Sequence, residues 1–331
     1  MKNGIARFDH FLNQFQELLD KAAKQKNPGL WLYHNNARTP LFMLEALAKL
    51  YAGFQNKKKF CKLKEHFKLL EDALGAIDYY DAFAREFAAD QKIPPAITAY
   101  LQAETREKIQ SFNELLKEKK WIGTGNERMI KIRKKLDEIN WMDADKEVKA
   151  INEYYGKAIY EIVAFVKERK FRFSNVEADI HELRRKLRWL SIYPQALLGC
   201  IQLTKAQEVP PHLEKYLTPA VTSSPFNKLP DVGSNRQLLL LNQSYFFALS
   251  WMIAELGTIK DNGLRIIAIK EALQQPSNMN DAAAYAKVYE ILGTEYPQLG
   301  TLISKAQDTC KTYFGENNLE HLVSGIGTVA K

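Results

Sequence analysis

DIHELRRKLRWL, residues 179–190, carries two patterns at once. Ile180, Leu183, Leu187 and Leu190 recur at the spacing of an apolar stripe that faces a core from one side of a helix. His181, Arg184, Arg185 and Arg188 form a second stripe on the adjacent flank. Like charges one turn apart repel, and guanidinium groups at the border of a buried face are costly when unpaired. Three things can answer them: carboxylates elsewhere in the fold, open water, or an anionic ligand. Upstream, Ser174 and Glu177 have the form of a capping box, which starts this helix at about Asn175.

Outward from this stretch the same periodicity recurs almost everywhere. Ile5, Phe8, Leu12, Phe15, Leu18, Leu19 and Ala22 trace a first helix that ends at the KQKNPG breaker. Helical patterns follow over residues 41–54, about 60–90, 95–119, 127–139, 143–170, 175–192, 235–256, 261–274, 280–293 and 298–313, separated by Pro, Gly or Asn. No run alternates convincingly like a strand, so the class is all-α. Residues 209–235 hold five prolines and no helical pattern, as suits a long surface crossover or a mobile flap.

The chain of 331 residues, 46% apolar, suffices for a sizeable core. Cys61, Cys200 and Cys310 are too few and too scattered for a disulfide framework, and suit free thiols in a reducing, cytoplasmic setting. The N-terminus lacks the apolar stretch of a signal peptide. The window 238–256 is strongly apolar but contains Asn242, Gln243, Ser244, Ser250 and Glu255, so it reads as a buried helix and not a membrane span. Net charge is +8, and residues 205–331 carry 11 Lys plus Arg against 12 Asp plus Glu, so the basic excess belongs to the first two thirds. Residues 117–135 alone hold eight basic and two acidic residues, a solvated surface that also attracts polyanions.

An internal echo links the two halves. LGAIDYYD at 74–81 and LGTIKDNG at 256–263 lie 182 positions apart, each read as closing a long helical pattern. Upstream of each stands a His- and Arg-bearing stretch, YHNNARTPLFMLEAL from Tyr33 and DIHELRRKLRWL from Asp179. The histidines His34 and His181 are 147 apart, a 35-residue difference in spacing that the Pro-rich insert absorbs. Two similar helical halves, 1–172 and 173–331, follow.

With His181, Leu183, Arg184, Leu187 and Arg188 followed by Leu256, Gly257 and Asp261, the chain resembles the CHAD domain, the conserved histidine α-helical domain. The resemblance spans most of the chain through short motifs. It implies two helical bundles related by a pseudo-two-fold axis, a basic central groove or pore that binds inorganic polyphosphate, and no catalysis. The site residues it implies in the second half are His181, Arg184, Arg185 and Arg188, with Arg236 and Lys260 as helpers. In the first half they are His34 and Arg38, helped by Lys62, Lys64 and Lys68. That half departs from the pattern: Arg38 follows His34 at the fourth position, Leu41 and Phe42 replace further arginines, Asp78 replaces a basic residue and Tyr79 an acid. Thr39-Pro40 interrupts the helix there, or Pro40 opens a new helix capped by Thr39 with His34 in the preceding loop.

Arginine suits such a ligand because its planar fork offers paired donors to phosphate oxygens. Imidazole ordinarily loses its charge near pH ~6.5, so His181 predicts weaker binding as pH rises. Enzyme signatures are missing: no phosphate loop with a Lys-Ser/Thr ending, no GxSxG and no HExxH, and no cofactor motif. His10, His66, His212 and His321 are isolated, and the pairs Tyr79-Tyr80 and Tyr154-Tyr155 read as packing. The alternative is a divergent helical scaffold that binds an acidic protein or nucleic acid with its anion site partly lost. Net charge alone speaks for nucleic acid, with no reading motif.

Overall fold

The computed structural model describes residues 2–123, 125–205, 208–275, 277 and 279–328. Thr124, within the basic 117–135 run, lies outside them. The chain opens with α1 (Asn3–Ala22), α2 (Pro28–His34), α3 (Arg38–Phe54), α4 (Lys57–Ala88), α5 (Pro95–Glu118), α6 (Glu127–Asp137) and α7 (Ala144–Glu168). A π-helical turn, Val176–His181, then feeds α8 (Glu182–Ala196). The Pro-rich region joins β1 (Ile201–Thr204) through 3₁₀ turns at Pro211–Tyr216 and Pro225–Asn227 and through α9 (Pro219–Thr222) to β2 (Gln237–Asn242). The last elements are α10 (Gln243–Gln274), α11 (Asp281–Leu292), α12 (Leu299–Gly315) and β3 (Val323–Thr328).

Asparagine starts many of these helices. Asn27, Asn56, Asn242 and Asn280 each accept a hydrogen bond from a backbone N–H of the first turn. The expected capping box at Ser174 is corrected in the same way. Asn175 Oδ1 accepts from the Glu177 and Ala178 amides, and Asp179, not Glu177, takes the Ser174 amide and hydroxyl. Glu177 is thereby free to pair with His181. Pro40 sits in the first turn of α3, where its missing N–H costs nothing, so the helix starts before it and not at it. His34 ends α2.

The expectation of no strands is also corrected. β2 pairs parallel with β1 and antiparallel with β3 in a small sheet. The run LLLL at 238–241 is a buried strand and not a helix start, a case that periodicity alone does not separate. Parallel neighbours need a crossover, and residues 209–235 supply it. That crossover is packed: Leu213 and Tyr216 are buried, Tyr216 lies against Trp251 and Tyr313, and the Asn227 amide donates to Val221 O and Ser250 Oγ. The helices expected at 235–256 and 261–274 are one continuous α10, because Gly263 packs on Val176 and the Asp-Asn-Gly stretch does not break it.

The class is all-α with this small sheet attached, and buried side chains from both halves form one core. Its polar tie is Arg7, which donates to Glu147 Oε2 at 2.8 Å and to the Tyr51 hydroxyl at 3.0 Å, while Tyr51 donates to Glu147 Oε1 at 2.6 Å. Arg7 and Glu147 are 3% and 1% exposed, so this buried cation is fully answered. Among the described residues, no helix is long and apolar enough to cross a membrane. All three cysteines are free thiols, with Cys200 and Cys310 buried and Cys61 partly so.

Candidate functional site

α3 and α4 of the first half face α8 and α10 of the second across an open cleft of about 1140 Å³. On α3 the residues Arg38, Phe42, Glu45 and Lys49 follow one another at four, three and four positions, so all four present to the cleft. On α8 the same logic brings His181, Arg184, Arg185, Arg188 and Trp189 to it. Of the residues predicted from sequence, Lys64, Lys68 and Lys260 also line it. His34, Lys62 and Arg236 do not: each is exposed on another face, His34 at the end of α2 and Arg236 in the turn before β2.

Leu-Gly does not end a helix in either half. Gly75 and Gly257 lie inside α4 and α10, where glycine weakens a helix by up to ~1 kcal/mol relative to alanine. Each accommodates an arginine. A Cβ on Gly75 would sit 2.9 Å from Arg38 Nη2, and one on Gly257 would sit 3.0 Å from Arg184 Nε. The missing side chain lets each guanidinium come close to the facing helix. Arg38 and Arg184 thus share an approach to a glycine, and they are separated by 146 positions, one fewer than His34 and His181.

Their partners differ. Arg38 donates to Glu71 Oε1 at 2.7 Å and to Asp78 Oδ2 at 3.0 Å. The residues 182 positions beyond those acids are Ile253 and Lys260. Arg184 accordingly finds only a backbone acceptor, donating from Nε to Ile253 O at 3.1 Å, and no carboxylate among the described residues forms an ion pair with it. Arg188, one turn on, has no ion pair either; it lies 4.6 Å over the ring of Phe42, which Arg38 also approaches at 5.2 Å. Burial pulls the Arg184 guanidinium below its usual range and, aided by Arg184 and Arg38 as like-charged neighbours, brings Arg188 down to about 10. Arg7 moves the other way, raised by Tyr51 and Glu147 against the effect of burial.

Lys49 was not legible as a site residue. Its ammonium lies 4.7 Å over the Trp189 ring, and burial, opposed by Glu45 and aided by Lys186, Arg185 and Lys64, lowers it to about 8. One turn earlier on α3, Glu45 is 5% exposed, and burial beside Glu71 raises its carboxyl to about 7. The remaining cleft cations are answered internally: Lys68 by Asp72, Arg185 and Lys186 by Glu182, Lys260 by Asp261, and Arg265 by Glu86 and Asp90, while the His181 ring lies in hydrogen-bond contact with Glu177.

No family model, curated protein or solved structure matches this chain.

The lining as a whole holds ten Lys or Arg against nine Asp or Glu, so a uniformly basic pore is absent. The charge that matters chemically is local. Lys49, Lys64, Arg184 and Arg188 have no carboxylate partner among the described residues, and three of the four are shifted by burial toward their neutral forms. Such groups can accept an anion without first breaking an internal ion pair. Among the described residues, no cluster of His, Cys, Asp or Glu has the arrangement of a metal site.

Proposed function

We propose that the protein binds inorganic polyphosphate or a related phosphate-rich anion in this cleft, without catalysis, through Arg184 and Arg188 with Lys49 and Lys64. We further propose that the segments 1–172 and 173–331 form two halves of one CHAD-like unit related by a pseudo-two-fold axis, with the cleft at their junction. The observation that carries the reading is the pair Arg184 and Arg188: two partly desolvated guanidinium groups, one turn apart, lining an open cleft, with Asp261 and Glu71 near them but no ion pair to either among the described residues. Holding such charges unpaired costs several kcal/mol in a protein interior, and a phosphate group offsets that cost by accepting paired hydrogen bonds. The fold elsewhere pairs its buried cation, at Arg7, so the bare pair is not a general habit of this chain.

Titration of the full chain with polyphosphate at rising salt tests this. Saturable binding that weakens steeply with salt and disappears in Arg184→Ala/Arg188→Ala is the expected result; unchanged affinity in that variant rejects the site. The near balance of charge in the cleft favours one other reading, a scaffold that holds an acidic protein segment with the phosphate site partly lost. Indifference to polyphosphate together with capture of acidic peptides would select it. Displacement of bound polyphosphate by equal charge as DNA would point instead to attraction by net charge alone.

A further inference from the structure

We infer that the ligand of this cleft is a compact oligophosphate with about four negative charges, one for each lining cation that has no ion-pair partner among the described residues, and not a long chain threaded from end to end. The inference rests on the phosphate-binding reading above and narrows its ligand class. Space does not impose the limit, since about 1140 Å³ accommodates far more than a few phosphates. Charge does. Arg184 and Arg188 stand about 6 Å apart along α8, a separation that one short chain of phosphates spans. Lys49 and Lys64 approach from α3 and α4, close enough to Arg185 and Lys186 that all three neighbours depress Lys49.

Beyond this group most of the carboxylates lining the cleft are already engaged with cations, while Glu271 accepts from the Tyr80 and Tyr100 hydroxyls. Toward the middle of α4 lie Glu71 and Asp78 on Arg38. Toward the end of α4 lie Glu86 and Asp90 on Arg265, and at the start of α8 lie Glu177 on His181 and Glu182 on Arg185. A phosphate extending into any of these regions would face anions at short range and find no cation free to receive it. The acids of the first half thus act as internal counter-ligands that end the binding row. The two arginines over glycines illustrate the device: the one in the second half is open, and the one in the first is filled by the chain's own side chains.

The test is a chain-length series on the full protein: orthophosphate, pyrophosphate, tripolyphosphate and a long-chain polyphosphate, each titrated calorimetrically at several salt concentrations. The slope of log affinity against log salt reports the number of ionic contacts. It is expected to rise up to tripolyphosphate and then to stay constant for the long chain. A slope that keeps growing with chain length overturns the inference and leaves polyphosphate binding intact. Failure of every member to bind removes both. The double variant Glu71→Gln/Asp78→Asn, with its fold checked by circular dichroism, supplies the second arm: freeing Arg38 should steepen the slope for the long chain and leave that for pyrophosphate unchanged. Equal slopes for the long chain in variant and parent would contradict the role given to the two acids.

Discussion

Arg38 and Arg184 make the same approach to their neighbours and reach opposite ends. Each lies across a glycine inside a long helix, and each points into the same cleft. Arg38 meets Glu71 and Asp78; Arg184 meets a peptide carbonyl. The contrast teaches that the same geometry of approach can leave one arginine held by carboxylates and the other without an ion pair. Whether a buried-edge arginine is structural or available depends on two residues of the facing helix, Glu71 and Asp78 in one case and Ile253 and Lys260 in the other.

The most decisive way to break the contrast is to remove the arginines. Arg184→Ala/Arg188→Ala should weaken tripolyphosphate binding by about 100-fold or more, since hydrogen bonds to charged groups contribute about 1.5–3 kcal/mol each. Arg38→Ala should change it by less than about threefold, because that guanidinium is already engaged. Similar losses in both variants, read by calorimetry, would show that the internal acids do not decide availability. Neutralising those acids sharpens the contrast from the other side: Glu71→Gln/Asp78→Asn should raise long-chain affinity about tenfold while lowering thermal stability, as a partly buried arginine loses its partners.

A third test acts on the glycines. Gly257→Ala adds helix propensity of up to ~1 kcal/mol but places a methyl group against Arg184, so binding should fall severalfold while the melting temperature holds or rises. Gly75→Ala should leave binding unaffected. The smallest effect concerns pH. Glu45 gains a negative charge as pH rises through about 7, and Lys49 loses a positive one as pH rises through about 8. Both changes weaken anion binding, so affinity should decline by a few-fold per group between pH 6 and 9. Glu45→Gln should remove the lower step and Lys49→Met the upper, in titrations at constant ionic strength.

Sequence carried the helical class and most element bounds, because long amphipathic stripes over α1, α5, α7 and α8 are dictated by burial. It also carried the Arg184–Arg188 row, since helical spacing alone puts those residues on one flank. It misplaced β2, whose apolar run reads equally as strand or buried helix, and it broke α10 in two just after Leu256. The reason is tertiary: Gly75, Gly257 and Gly263 exist to admit side chains from other helices, and a single chain read in order shows only their low propensity. Lys49 escaped for a related reason. Its spacing from Arg38 and Phe42 on α3 was visible, but the aromatic ring beneath it and the cations around it come from α8 and α4. His34, at the end of α2, and Lys62, on α4, are exposed and lie outside the cleft, which the order of motifs along the chain does not show.

The most direct measurement is a crystal structure of the protein grown with tripolyphosphate. Phosphate oxygens within hydrogen-bond distance of both the Arg184 and Arg188 guanidinium groups, with Arg38 still on Glu71 and Asp78, are the expected outcome. An anion lodged instead on the basic surface of α6, with the cleft vacant and its arginines unchanged, would contradict the claim that these two arginines are the binding centre.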